Sequence, residues 1–316
     1  MKYNFNRRSV IAMAAVATAA NAFPEICDHA FSADIAGEPR SAAALLDALE
    51  AKSLSAGVAP STEEFDKSGG RPDSYETLLP RILDLLDRTT AAGADARSIA
   101  DGAAELLSRI HRAERGGREA VVKAKAPSFD KLKAEYRKMF DSCVAKPAHV
   151  SSLAKQTSYM KKHRERYEAV SKSTSIPWHF IAIIHGLEAS YNFNGHLHNG
   201  DVPLSKRTVH VPSGRPKNWN PPTDWESSAV DALEYEGFVG AKDWSLERTL
   251  YRWEAYNGFG NRAHGINTPY LWSYSTHYTK GKYIKDGVWD ANAVSAQCGA
   301  AVLLKALVTS GDVILP

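Results

Sequence analysis

Residues 178–188 read Trp-His-Phe-Ile-Ala-Ile-Ile-His-Gly-Leu-Glu. Wound at 3.6 residues per turn, this run is apolar on nearly every face. Such a helix is stable only inside a shell of other elements, so the run predicts a buried central helix. Ser175 is a candidate N-cap and Pro177 suits the first turn. The flanking sequence offers the shell mainly as further helices. Leu45, Leu46 and Leu49 have helical spacing, as do Leu78, Ile82, Leu85 and Leu86, and then Ile99, Ala103, Leu106, Leu107 and Ile110. Residues 55–72 and Arg115-Gly116-Gly117 read as breaks. Two or three helices are expected over 129–172, interrupted at Pro147, and more at about 225–236, 246–256 and 291–308. Between them, Asn194-Gly195 and Asn199-Gly200 are turn dipeptides, and Arg207-Thr208-Val209-His210-Val211 alternates like a strand. The expected fold is therefore mainly α, with a small β-hairpin or sheet after the central helix and a helical region before it.

Composition divides the chain. All seven tryptophans lie after residue 177. Residues 34–122 carry 11 basic and 16 acidic side chains, and residues 123–172 carry 13 and 5. These shifts suggest an accessory helical region at 34–122 and a functional domain at 125–316. The basic stretch reads as a solvated face or a hold on an anionic wall polymer. The first 22 residues contain Lys2, Arg7 and Arg8 as their only charges, then an Ala-rich apolar stretch and Ala20-Asn21-Ala22. That is the pattern of a twin-arginine signal peptide, with a small-x-small cleavage site. It predicts export to the periplasm or beyond. The net charge of +3 falls to zero without those three residues. A neutral mature chain gives no reason to expect nucleic acid as a partner. No apolar run reaches the roughly 18–20 residues of a membrane span. Cys27, Cys143 and Cys298 are an odd set, open either to one Cys143–Cys298 disulfide or to buried free thiols.

Glu188 is the first candidate for chemistry. It shares a helix face with Ile184, Ile181 and Phe180, and it ends the helix. Burial and the negative end of the helix dipole both disfavour the ionised carboxylate. A carboxyl that keeps its proton at neutral pH is suited to general acid catalysis. His185, one turn earlier, reads as a satisfied core histidine or a partner for Glu188.

A buried helix ending in Glu188, a hairpin and then a helix ending Glu254-Ala255-Tyr256-Asn257-Gly258-Phe259-Gly260 together resemble the lysozyme superfamily. Goose-type lysozymes and soluble lytic transglycosylases are the nearest in motif. The likeness covers roughly residues 125–316 and implies a lysozyme-like helical catalytic domain. It further implies cleavage of β-1,4 glycosidic bonds in peptidoglycan or a related glycan, without a cofactor. In those proteins the helix-terminal Glu is the acid, the A-Y-N-x-G segment borders the cleft and a later Tyr lies beside the Glu. The matching positions are Glu188, Tyr256, Asn257 and Tyr270. Two departures stand out. Ala189 intervenes before Ser190, where a Ser directly after the Glu is usual, and the downstream G-L-M-Q segment is replaced by His196-Leu197-His198-Asn199-Gly200-Asp201.

Asp201 is the second carboxylate. Following Asn199-Gly200 in a turn, it is expected to be hydrated and ionised, suited to orient water as an inverting glycosidase requires. Turn capping is its structural alternative. Ser190, Trp225, Tyr256, Asn257, Tyr270 and Trp272 are candidate substrate contacts, since pyranose faces stack on aromatic rings; core packing competes for the tryptophans. Asp224 reads as an N-cap. A rival reading places zinc on His196, His198, Asp201 and His210, because H-x-H on a strand presents both imidazoles on one face. A third is a wall-binding protein without catalysis.

Overall fold

The computed structural model describes residues 41–63, 65, 74–93, 96–115, 126–219, 224–285 and 287–316. The export signal expected at 1–22 and Cys27 lie outside the described residues. Residues 42–316 form one compact unit. Its elements are α1 (Ala42–Ser55), α2 (Tyr75–Ala91), α3 (Arg97–Arg115), α4 (Phe129–Asp141), α5 (Val150–Lys162), α6 (Arg164–Thr174) and α7 (Trp178–Ala189), followed by α8 (Trp225–Tyr235), α9 (Leu246–Asn257), α10 (Gly260–Ala263), α11 (Pro269–Trp272), the strands β1 (Lys282–Lys285) and β2 (Val288–Asp290), and α12 (Ala300–Thr309). The described residues are mainly helical, with one small antiparallel sheet.

α7 is the central helix that its composition predicts. Every residue from Phe180 to Ala189 is buried. The helix packs against α5, α6 and α12. Burying Phe180, Ile181, Ile183, Ile184 and Leu187 contributes about 1.5–3 kcal/mol each. Phe180 stacks on Trp253 of α9, with ring centroids 5.2 Å apart and planes 6° from parallel. The start differs from expectation. Ser175 is left-handed (φ 60°) and closes α6, while Pro177 holds the N-cap position of α7.

α1, α2 and α3 pack on one another, and α2 also reaches α5. Ser108 of α3 donates to the Gly200 carbonyl at 2.8 Å, and Asn192 donates to the Ala104 carbonyl at 3.2 Å. The N-terminal helices thus support the back of the segment that follows α7. Part of the basic stretch is used in ion pairs: Arg137 with Glu247, Lys162 with Asp87, and Arg166 with Glu226. No helix among the described residues is long and apolar enough to cross a membrane.

Two local expectations need correction. The sheet does not follow α7. It lies at residues 282–290, where Tyr283 pairs with Trp289, while residues 207–211 form no strand. The backbone N–H groups of Val209 and His210 donate to the Asp201 carboxylate instead of to a neighbouring strand. Val209 and Val211 face solvent, so the alternation has no apolar side to bury. The last helix begins at Ala300 rather than near residue 291. A Cβ at Gly299 would lie 2.3 Å from the Leu271 carbonyl oxygen, so the chain must pass this point as bare backbone. Cys143 and Cys298 are buried free thiols, and burial pushes both thiol pKa values up.

Candidate active site

α7 ends with two successive left-handed residues, Ser190 (φ 51°) and Tyr191 (φ 60°). Their N–H groups return to the Gly186 and His185 carbonyls, closing the helix. Left-handed backbone at non-glycine residues costs of order 1–3 kcal/mol each, so neighbours must hold it. Tyr191 folds back over Gly186, where a Cβ would come within 2.4 Å of the Tyr191 ring. Ser190 is gripped by His111 Nδ1 at 2.6 Å and by the Tyr75 hydroxyl at 2.7 Å. Gln297 donates to the Leu187 carbonyl at 2.9 Å. The strained turn fixes the direction in which the preceding side chain, Glu188, leaves the helix.

Glu188 is 0% exposed. The Tyr270 hydroxyl donates to its Oε1 at 3.0 Å. Tyr270 is positioned by α11, a single turn opened by Pro269 and capped by Thr268. Its ring lies parallel to that of Tyr256, 6.4 Å away at 16°. Tyr256 and Asn257 are half-buried at the end of α9, where Gly258 takes φ 110° and ψ 165°, backbone that only glycine accepts readily. The chain therefore brings Glu188, Tyr270 and Tyr256 together from three distant elements.

His185 does not serve Glu188. Its Nδ1 lies 3.0 Å from the Tyr167 hydroxyl, and burial holds its pKa well below the ordinary value. Ser190, Trp225 and Trp272 are not groove-lining residues. Ser190 is buried against His111 and Tyr75. Trp225 packs on His185 and Phe193, at 4.5 and 4.8 Å. Trp272 is buried edge-on to His277. Large aromatic area is worth more in the core than at a surface, and the central helix recruits it.

Asp201 is not the hydrated carboxylate that the Asn199-Gly200 turn predicts. It is 4% exposed. Its Oδ2 accepts the Val209 and His210 backbone N–H groups at 2.8 Å each and the Asn199 amide at 3.1 Å. Its Oδ1 lies 2.5 Å from His210 Nδ1. The turn tucks Asp201 beneath the 208–215 loop, so donors of the loop replace water. Gly200, at φ 76°, sits on the end of α7: a Cβ there would be 3.2 Å from the Glu188 carbonyl oxygen.

The proposed zinc ligands are committed elsewhere. His196 holds Ser228 Oγ with Nδ1 and the Lys206 carbonyl with Nε2. His198 meets Asp231, which Arg215 also clamps with two bonds. Burial opposes ionisation of Asp231, yet the His198 and Arg215 contacts bring its pKa below the usual carboxylate value. Among the described residues, no group of three His, Cys, Asp or Glu side chains is placed to hold a metal ion. Asp224 caps α8 as expected, accepting the Ser227 N–H at 2.7 Å.

Sequence reasoning missed a further buried carboxylate, Glu254. It receives the Tyr136 hydroxyl at 2.6 Å and two Arg262 bonds at 2.7 and 2.8 Å. It also passed over His111 and Tyr75, whose service to Ser190 spans 79 and 115 residues. No local pattern marks such pairs. Comparison with known proteins returned no matching family model, no matching curated protein and no matching solved structure.

Proposed function

We propose that this chain is an exported, lysozyme-like glycosidase that cleaves β-1,4 bonds in the glycan strands of peptidoglycan. The observation that carries the reading is the Glu188–Tyr270 pair: a buried carboxyl ending an apolar helix, touched by a phenol whose ring lies alongside half-exposed Tyr256. Glu188 supplies the proton to the glycosidic oxygen as the bond to the anomeric carbon breaks. The Tyr270 hydroxyl fixes the carboxyl rotamer through its bond to Oε1. Tyr256 and Asn257 border the sugar, the first through its ring face and the second through its amide. No cofactor enters this chemistry. Glu188 is closed to solvent, so the reading requires that glycan binding uncover it.

The test is digestion of purified sacculi by the wild-type protein and by Glu188→Gln, read by mass spectrometry. Soluble muropeptides from the wild type alone support the proposal. Reducing ends mean hydrolysis and 1,6-anhydro ends mean transglycosylation. Sedimentation with sacculi without release of any fragment would instead favour a wall-binding protein and end the enzyme reading.

A further inference from the structure

The loop over residues 208–215 is built to hold one imidazole. Thr208 N–H donates to the Arg215 carbonyl at 2.8 Å, Gly214 N–H to the Thr208 carbonyl at 2.7 Å, and Arg215 N–H to Thr208 Oγ1 at 2.9 Å. Asn199 donates across to the His210 carbonyl at 3.1 Å. These bonds fix the backbone of a tip whose three side chains point outward. Val209 is 75% exposed, Val211 is 68% exposed and the His210 side chain is 56% exposed. Two bare valines flanking a tethered histidine are a poor choice for a solvated loop and a good one for contact with a bound molecule.

His210 is also given a defined tautomer. Its Nδ1 faces Asp201 Oδ1 at 2.5 Å. The other partners of that carboxylate are N–H donors, with Arg112 of α3 the nearest cation at 3.9 Å. A carboxylate so surrounded acts as acceptor, so Nδ1 carries the proton and the lone pair of the neutral ring is on Nε2, at the open edge. The pair sits at the same end of α7 as Glu188, because Gly200, next to Asp201, rests against the Glu188 and Ala189 backbone.

We propose that His210, oriented by Asp201, is the proton acceptor for the attacking water in the glycosidase reaction. The inference rests on the glycosidase reading and deepens it. Water oxygen bonds to the anomeric carbon and its proton passes to His210 Nε2. The bond from that carbon to the bridging oxygen breaks, and the electron pair stays on the oxygen, which takes the Glu188 proton. Solvent then removes the His210 proton and returns one to Glu188, so one water is consumed per bond cut. Asp201 is a positioning residue: its role passes through the ring it holds.

The experiment uses the full chain and purified sacculi, with kcat and KM measured for wild type, Glu188→Gln, His210→Ala and Asp201→Asn, and with sodium azide added to the last two. His210 is exposed, so His210→Ala should melt with the wild type. Loss of the base is expected to lower kcat about 10²- to 10⁴-fold with KM within about twofold. Azide attacks without a base, so it should restore turnover and leave a glycosyl azide of inverted configuration. Asp201→Asn, which turns an amide N–H towards Nδ1 and so favours the wrong tautomer, should lower kcat in the same direction. Wild-type kcat in His210→Ala overturns the inference and spares the glycosidase reading, as does a loss that azide does not rescue. Anhydro ends from the wild type do the same, since no water is then activated. Failure of the wild type to cut any glycan overturns the reading itself.

Discussion

Two buried carboxylates end two helices here, and substitution should separate them cleanly. Glu254, near the end of α9, is clamped by Arg262 through two bonds and by the Tyr136 hydroxyl, while the third nitrogen of Arg262 reaches Glu135 at 2.9 Å. Breaking a buried ion pair by removing one charge costs about 3–5 kcal/mol, because the other charge stays behind without compensation. Glu254→Gln retains the shape and one acceptor, and Arg262 retains the partly exposed Glu135, so the lower end, about 3 kcal/mol, applies. In a unit of this size each kcal/mol moves the midpoint by roughly 2–4 °C, so Tm should fall on the order of 10 °C. Glu188→Gln is the contrast. The amide keeps the volume, and its oxygen can still accept from Tyr270, so stability should change by less than about 1 kcal/mol. Glycan cleavage should vanish.

The assay is thermal unfolding followed by circular dichroism, paired with muropeptide release by each variant at a temperature where both are folded. Glu254→Gln should be the unstable, active protein and Glu188→Gln the stable, inactive one. A Glu254→Gln variant that melts with the wild type yet releases nothing would refute the reasoning, because the clamped carboxylate would then be the one that carries the proton.

Tyr270→Phe removes the hydroxyl that donates to Glu188 Oε1 and should lower kcat by about tenfold or more while costing roughly 1 kcal/mol in urea unfolding; unchanged kcat would mean the phenol does not position the acid. Gly186→Ala drives a methyl to 2.4 Å from the Tyr191 ring. Overpacking of about 1–3 kcal/mol should exceed the roughly 1 kcal/mol gained in helix propensity, so a Tm at or above the wild type would refute the close approach. Burial pushes the His179 pKa down to about 4 from 6.5, and that of His185 well below its ordinary value. The unfolded chain therefore takes up protons that the folded chain refuses. Stability should fall as pH drops from about 6.5 to about 4, by up to about 1.4 kcal/mol per unit for each ring and about 3 kcal/mol in all for His179. Urea midpoints that stay level between pH 7 and 4.5 would contradict this.

What was legible in the sequence follows the range of the forces involved. α7 was readable because an all-round apolar helix has one physical fate, and burial of Glu188 came with it. Asp224 was readable as a cap because capping is settled within four residues. The strand expected at 207–211 failed for the converse reason. Alternation reports a strand only when backbone N–H groups have a neighbouring strand to meet, and here a side chain eight and nine residues upstream takes them. The same omission misread Asp201: a turn dipeptide exposes its own backbone but says nothing about what folds over it. His196, His198, Asp201 and His210 drew a metal reading from proximity in sequence, whereas Ser228, Asp231 and the loop itself claim them in space.

That outcome changes how the segment after the central helix should work. Asp201 is buried and already takes four donors, three of them on Oδ2, so it is poorly placed to order a water molecule. His210 is better placed, since its Nδ1 is held by Asp201 and its side chain is 56% exposed. A chain that spends a buried carboxylate, an asparagine and several backbone bonds on an exposed Val-His-Val tip has preorganised that tip. Preorganisation lowers a barrier only if the held group meets the reacting atoms. The loop bonds should therefore matter more to kcat than to stability. Thr208→Val deletes a hydroxyl that accepts from Arg215 N–H and donates to the Pro212 carbonyl at 2.5 Å. It should loosen the tip, lower kcat and leave the core's unfolding midpoint within a few degrees. Equal loss of midpoint and kcat would make the loop a structural plug instead.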